Sequence, residues 1–423
     1  MKSLDDIAAA LQGYDPQALS VPHVLAFLDQ LVSPLSSQDD HERPVPQALG
    51  YVLARDAISP VDVPPHDNSA MDGFAFDGTA LVSDQALRLR VVGTALAGAA
   101  WRGSVGPDEC VRIMTGAIMP AGLDTVAPQE LVQVTGDTIT LPPGRLQRGD
   151  NRRLRGEDIH ASRAALRAGH RLTPAALGLI ASLGVPTVQV KRRLRVAYFS
   201  TGNEILSLGE PAREGAVYDS NRYTVMGLLD RLGCEMIDLG VVPDDPAQLR
   251  SAFTQAASRA DAIITSGGVS VGEADYTKAL MRELGDVAFW KIAMRPGRPM
   301  AVGRMGSTVL FGLPGNPVAV MVTFLAFVRP ALLKMMGCTE PTLPLLQAVC
   351  TERLRKKPGR TEYQRGWVDR SPQGQLQVRT TGNQGSGVLS SMVQGNGLIV
   401  LHHEQGDVHP GDTVDVMMFE GVI

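Results

Sequence analysis

A chain of 423 residues with a net charge of −4 is too long for one ordinary hydrophobic core, so about two to four domains are expected. The near-neutral charge argues against nucleic acid or a membrane surface as the main partner. Cys110, Cys234, Cys338 and Cys350 are scattered without C-x-x-C or zinc spacing, and acids occupy Met1-Lys-Ser-Leu-Asp-Asp-Ile7 where a signal peptide needs an apolar run, so reduced thiols and a cytoplasmic location are expected.

From Val21 to Leu31 the residues Val24, Leu25, Leu28 and Leu31 keep helical spacing, and Ala48-Leu-Gly-Tyr-Val-Leu-Ala54 reads as a second short helix. The stretch Asp62-Val-Pro-Pro-His-Asp-Asn-Ser-Ala-Met-Asp-Gly-Phe-Ala75 is dense in small, polar and turn-forming residues, as a loop around a polar ligand would be. Asp72 is its candidate acid, and a turn-supporting role beside Gly73 is the slightly favoured alternative. Leu87 to Leu141 breaks into short alternating runs, a small β-rich domain. Within it Arg112-Ile-Met-Thr-Gly-Ala117 ends either at a functional turn carrying Thr115 or at an ordinary strand end. Between Gly144 and Asp158 lie Arg145, Arg148, Arg152, Arg153 and Arg155, either anion-binding forks or a solvated face. Leu172 to Leu183 is helical again, which makes the β-rich segment an excursion from a helical hinge.

From Leu194 onward strands and helices alternate, the pattern of a doubly wound sheet whose strand ends line one crevice. Its most informative stretch is Ala262-Ile-Ile-Thr-Ser-Gly-Gly-Val-Ser-Val-Gly-Glu-Ala-Asp275, a strand, a glycine turn and the start of a helix. Such a turn presents backbone N–H groups to an anion. Acids follow three successive strands: Glu204, then Asp244 and Asp245, then Glu273 and Asp275. For the glycine loop alone, phosphate with a divalent cation and a tight connection with a capping acid fit about equally well, and acids at three successive strand ends favour a cation over caps alone. Lys291, Arg295 and Arg298 supply positive charge, and Gly312-Leu-Pro-Gly-Asn-Pro317 closes the crevice ahead of a long buried helix from Pro317 to Met336. Neither a P-loop nor an opening G-x-G-x-x-G is present, so an ordinary P-loop is excluded and a dinucleotide oxidoreductase is disfavoured. After Pro341 the helical pattern ceases, and a small β-barrel or sandwich is expected, with Arg365 and Ser386 in turns within reach of a ligand. Adjacent His402 and His403 would point to opposite faces of a strand and make poor joint metal ligands.

Asp67-Asn-Ser-Ala-Met-Asp-Gly73, Arg155-Gly-Glu-Asp158, Ser200-Thr-Gly-Asn-Glu204, Ser266-Gly-Gly-Val-Ser-Val-Gly-Glu-Ala-Asp-Tyr276, Pro296-Gly-Arg-Pro299 and Gly312-Leu-Pro-Gly-Asn-Pro317 together resemble the MoeA family of molybdopterin molybdenumtransferases, from about Val21 to the C-terminus. The resemblance implies an α/β multidomain protein: a helical hinge domain (1–54 and 150–192), a β-rich insertion domain (55–149), a doubly wound molybdopterin-binding domain (193–337) and a C-terminal β-barrel (338–423). It implies a homodimer that joins molybdate to adenylylated molybdopterin with Mg²⁺, releasing AMP, and that works beside a molybdopterin adenylyltransferase and other proteins of the pathway. By motif position the catalytic set is Asp72, Asp158, Glu204, Asp244, Asp275, Lys291 and Arg295, with Glu204, Asp244, Glu273 and Asp275 as the metal set. The substrate-binding set is Thr115, Ser266, Gly267, Gly268, Ser270, Gly272, Pro314, Gly315, Asn316, Arg365 and Ser386. Two departures from the family pattern are Arg295 where lysine is expected and Asn203 where an acid is expected beside Glu204. An adenylyltransferase-like enzyme and a non-catalytic pterin-binding scaffold are the alternatives.

Overall fold

The structure is a computed structural model that describes residues 2–268, 275–339 and 342–420, with Asp275 and Tyr276 described by their backbone alone. Two helices come first, Leu4–Ala10 (α1) and Val21–Leu31 (α2). Ser20 caps α2 by accepting the His23 N–H, and Pro22 sits in its first turn, where no donor is lost. The buried stripe Val21, Val24, Phe27, Leu28 and Leu31 packs into the core of the later α/β sheet, with Phe27 edge-on to Trp290 at 4.9 Å.

Ala48–Ala54 is not the short helix its composition suggests. Gly50 takes a left-handed φ of 78°, and the backbone donors reach across the chain instead of up a helix. The N–H groups of Gly50, Leu53 and Ala54 donate to the carbonyls of Leu172, His170 and Gln189 at 2.8, 3.0 and 2.9 Å. Extended pairing wins because it buries Tyr51, Val52 and Leu53, which a lone short helix could not do.

The insertion is a six-stranded sheet of Gly73–Phe76 (β1), Leu87–Ala95 (β2), Glu109–Ile113 (β3), Thr125–Pro128 (β4), Gln133–Thr135 (β5) and Thr138–Leu141 (β6), in the order β4-β1-β3-β2-β6-β5. The helix Pro174–Ser182 (α3) and the antiparallel pair Asp40–Pro44 with Thr187–Lys191 contribute to a separate small core with Val45, Tyr51, Leu53 and Leu172.

The second sheet comprises Arg195–Thr201 (β7), Glu235–Val242 (β8), Ala262–Ser266 (β9), Asp286–Lys291 (β10), Pro299–Met305 (β11) and Thr308–Leu313 (β12), in the order β8-β7-β9-β12-β11-β10. The first four run parallel, connected through the helices Ser220–Leu232 (α4), Pro246–Arg259 (α5) and Asp275–Leu284 (α6). Only β11 runs against them: Lys291 pairs with Pro299, and Ala301 with Gly312. Reached from β9 through α6, β10 runs parallel to β7, β9 and β12 and ends at the same edge as they do. That is how Lys291 joins the crevice.

Pro317–Met335 (α7) is the one helix long and apolar enough to cross a membrane among the described residues, and 89% of its most apolar window is buried within the protein. It widens into a π-turn at Phe324–Val328 just ahead of Pro330, which has no N–H to give. The C-terminal strands Leu346–Cys350 (β13), Thr361–Arg370 (β14), Leu376–Thr380 (β15), Gly397–Leu401 (β16) and Thr413–Met418 (β17) close into a barrel, β14-β15-β13-β17-β16 and back to β14. Helical structure does not wholly cease after Pro341, because Ser390–Gln394 (α8) makes a short turn against the barrel. Met294–Arg295 pairs with Thr361 and Glu362 of β14, stitching the barrel to the α/β sheet.

Candidate functional site

The site is built where the parallel strands end. β9 leaves its sheet through Gly267 and Gly268, whose φ angles of 95° and 67° are left-handed, a region that penalises any side chain. The Gly267 N–H donates to the Leu313 carbonyl at 3.2 Å. A Cβ on Gly267 would lie 2.6 Å from the Thr201 carbonyl oxygen, so the close approach of the two strand ends requires glycine. One step earlier, the Ser266 hydroxyl accepts a hydrogen bond from Asn221 Nδ2 at 2.7 Å, and the same nitrogen donates to the Gly315 carbonyl at 2.7 Å.

The neighbouring turn runs Pro314, Gly315, Asn316 into α7. Asn316 holds the N-cap position without a side-chain capping bond, and the Val318 N–H donates to the Ser386 carbonyl at 3.1 Å. The Ser386 turn is itself held by Arg365. This side chain is 1% exposed, and its guanidinium donates to the Asn383 and Gly385 carbonyls at 3.2 and 2.9 Å and to Ser391 Oγ at 2.9 Å. Burial pushes Arg365 down to about 10, and the nearby positive charge of Arg295 adds to the effect. Ser266, Gly267, Gly268, Pro314, Gly315, Asn316, Ser386 and Arg365 therefore form one connected set, with Arg295 beside it.

Glu204 and Asp244 stand at the ends of β7 and β8. The Asp244 N–H donates to Asn203 Oδ1 at 3.2 Å, and the Glu204 carboxylate folds back over its own turn, 2.6 Å from where a Cβ on Gly202 would be. Asparagine at 203 supplies the bridging acceptor without a third negative charge. Lys291 sits at the same edge, its N–H given to the Pro16 carbonyl at 2.8 Å. Asp275 opens α6, while Ser270, Gly272 and Glu273 lie outside the described residues. Among the described residues no three His, Cys, Asp or Glu side chains converge as a metal site.

In the insertion, Asp72 Oδ1 accepts both the N–H and the hydroxyl of Thr115, at 2.6 and 2.7 Å. Asp72 and Thr115 are thus brought together on an exposed turn. Asp158 is exposed nearby, its N–H bonded to the Val63 carbonyl at 3.0 Å. The arginine-rich segment is largely ion-paired at home: Arg148 with Asp124 at 2.5 Å, Arg155 with Asp62 at 2.5 Å and Arg152 with Asp67 at 3.7 Å. No hydrogen bond or ion pair among the described residues joins Asp72, Thr115 or Asp158 to the sheet crevice.

These carboxylates set the response to acid. The Thr115 N–H, then its hydroxyl, hold Asp72 below the usual aspartate value of 3.8. The Ala161 N–H, then Arg155, do the same for Asp62. At Asp39 burial pushes upward, but the bonds from Arg192 and Ser36 outweigh it. A carboxylate whose pKa falls on folding stabilises the fold above its unfolded value, and that contribution disappears as pH drops through the folded value. The melting temperature is expected to be flat from about pH 7 to 5 and to fall below about pH 4. A melting temperature that rises between pH 4 and 3 contradicts this.

An apolar cavity of about 500 Å³ lies between α2, α7 and the barrel, lined by Val21, Leu25, Leu325, Tyr363, Val400 and Met417 among others, and contains none of these residues. Sequence reasoning missed Asn221 and Asp219. Asp219 is 4% exposed and caps α4 through the Arg222 N–H, with its Oδ2 buried and unpartnered. The visible signal was the capping run Asp219-Ser-Asn221 ahead of a helical stripe.

Residues 19–184 match the MoeA N-terminal region (domain I and II), and residues 347–419 match the MoeA C-terminal region (domain IV). Between them, residues 197–334 match a probable molybdopterin binding domain. The chain belongs to the MoeA family. It is 43% identical over 399 residues to the molybdopterin molybdenumtransferase of Haemophilus influenzae, covering 94% of this chain and 97% of that one. Molybdopterin molybdenumtransferase 2 of Mycobacterium tuberculosis is 35% identical over 382 residues, with 88% and 93% covered. The crystal structure of the molybdopterin biosynthesis MoeA protein from Pyrococcus horikoshii superposes with a TM-score of 0.78 at 26% identity, over 95% of this chain and 100% of that one. Membership makes this MoeA chain a transferase of molybdenum-cofactor biosynthesis, and the expected multidomain α/β architecture with its C-terminal barrel is present.

Proposed function

We propose that this chain inserts molybdate into adenylylated molybdopterin, releasing AMP, as a cytoplasmic homodimer. The observation that carries the reading is the connected edge running from the Ser266 turn through Asn221 to Gly315, and on to Ser386 and Arg365, in a chain so similar to a molybdenumtransferase. Two glycine turns and the start of α7 offer backbone donors to phosphate oxygens. Lys291 and Arg295 add full positive charge for a tetrahedral oxyanion such as molybdate, where arginine's fork serves in place of a lysine point charge. Arg365 works indirectly, because its Nη2 holds the turn that carries Ser386 and its Nε holds Ser391.

A magnesium ion needs only one or two carboxylates when substrate phosphates and water complete its shell. Glu204 and Asp244, on adjacent strand ends bridged through Asn203, fit that requirement, with Asp275 and Glu273 as further ligands. Bound there, the ion would neutralise phosphate oxygens. Asp72 and Asp158 are assigned to the partner subunit's crevice, because no hydrogen bond or ion pair among the described residues ties these exposed acids to the crevice of their own chain.

The test is AMP release from purified protein supplied with adenylylated molybdopterin, with and without molybdate and Mg²⁺. Release that requires both is the expected result. ATP consumption would indicate adenylylation instead, and tight pterin binding without release a scaffold. Asp72→Asn is expected to lower kcat at least tenfold with only a small drop in melting temperature from its weakened bonds to Thr115, and unchanged turnover removes Asp72 from the reaction.

A further inference from the structure

The crevice is walled by two turns that leave adjacent strands, and the strands stop holding each other where those turns begin. Ser266 and Leu313 are the last paired residues of β9 and β12. Beyond them the chain diverges into the Ser266–Gly268 turn and the Pro314–Asn316 turn. Among the described residues the bonds that tie one turn to the other are few: the Gly267 N–H to the Leu313 carbonyl at 3.2 Å, the Ser266 hydroxyl to the Pro314 carbonyl at 3.4 Å, and the two bonds of Asn221. Both Asn221 bonds are 2.7 Å, the shortest of the set, and both come from one nitrogen on a third element, the first turn of α4.

Asn221 is 9% exposed, and its Oδ1 is buried with no partner. A buried acceptor left unpaired costs free energy. The amide is therefore not placed there to satisfy itself: it spends both N–H donors on the two turns and leaves its oxygen unmet. An alanine has no donor to replace them, an aspartate would set a carboxylate against the Gly315 carbonyl oxygen, and a glutamine is one methylene too long for a site fixed by the α4 backbone.

We infer that Asn221 is a positioning residue of the transfer reaction: its side-chain amide sets the separation of the Ser266–Gly268 and Pro314–Asn316 turns, and with it the aim of the backbone N–H groups at substrate. The inference rests on the reading of these turns as the substrate-binding edge. It extends that reading to a residue that need not touch substrate, and it joins the α4 N-terminus to the chain of contacts that continues through Val318 and Ser386 to the barrel.

Asn221→Ala in the full chain is the test, with AMP release measured across concentrations of adenylylated molybdopterin and of molybdate, beside a thermal melt. The expected result is a KM for the adenylylated pterin raised at least tenfold and a kcat lowered by a smaller factor, in protein that still melts cooperatively. Asn221→Asp is expected to be worse than alanine. In a Ser266→Ala background, Asn221→Ala is expected to lose part of its effect, because one of its two partners is already gone. A merely structural role would lower the melting temperature and leave KM and kcat of the folded fraction unchanged, and that pattern overturns the inference. Should the alanine variant fail to fold, Asn221→Ser, which keeps one hydroxyl donor, carries the same comparison. If the unsubstituted chain releases no AMP, the functional reading fails separately. Asn221 is then tested by the Kd for adenylylated molybdopterin: a tenfold weakening in the variant supports the positioning role, and an equal Kd overturns it.

Discussion

Replacing Arg365 with alanine is expected to destabilise the protein by about 3 kcal/mol and to lower its main melting transition by roughly 10 °C. The side chain is almost fully enclosed and donates to two carbonyls and a hydroxyl. Removing it takes three hydrogen bonds from the Ser386 turn and its neighbour Ser391 and leaves a cavity of arginine size. The effect reaches the crevice, because the turn Arg365 holds is the one whose Ser386 carbonyl takes the first N–H of α7. AMP release is therefore expected to fall at least tenfold in whatever protein remains folded. Arg365→Lys is expected to rescue little, since one ammonium cannot reproduce a planar fork aimed at separate acceptors. Calorimetry of both variants decides the matter: a lysine variant as stable as the parent would mean that charge, not fork geometry, holds the turn.

Gly267→Ala is expected to cut kcat/KM at least a hundredfold. An alanine at φ 95° bears about 1–2 kcal/mol of left-handed strain, and its Cβ would meet the Thr201 carbonyl oxygen at 2.6 Å and its hydroxyl oxygen at 2.8 Å. Backbone oxygen on a paired strand cannot swing aside, so the turn itself must shift away from the strand end. Gly306→Ala separates strain from clash: its φ is 63°, but nothing lies within 4 Å of the added Cβ. That variant is expected to lose about 1 kcal/mol of stability with unchanged kinetics. Equal kinetic losses in the two variants would show that the close approach at Gly267 has no special part in the site.

Pattern in the sequence decided what is local. The stripe of α2, the alternation of the insertion strands, the helix Pro246–Arg259 with its acid cap and the strand Ala262–Ser266 ahead of its glycines all follow from periodicity and capping, which need only neighbours along the chain. The motif set that resembles the MoeA family was likewise legible, since it consists of contiguous residues. Ala48–Ala54 shows where this logic stops. Its helical composition lost to extended pairing with residues more than a hundred positions away, a competition no local window contains. The same is true of the site. Asn221 reads in sequence as one more polar residue at a helix start, and Arg365 as a turn residue beside a ligand. Only the parallel register that ends β9 beside β12, the two antiparallel pairings of β11 that set the end of β10 and Lys291 at the same edge, and the short strand pairing Met294–Arg295 with the barrel bring these groups together. Hydrogen bonds between distant turns depend on ångström-scale separations set by whole-sheet packing, so tertiary structure alone decided which of the legible residues stand at the crevice and which ones brace it.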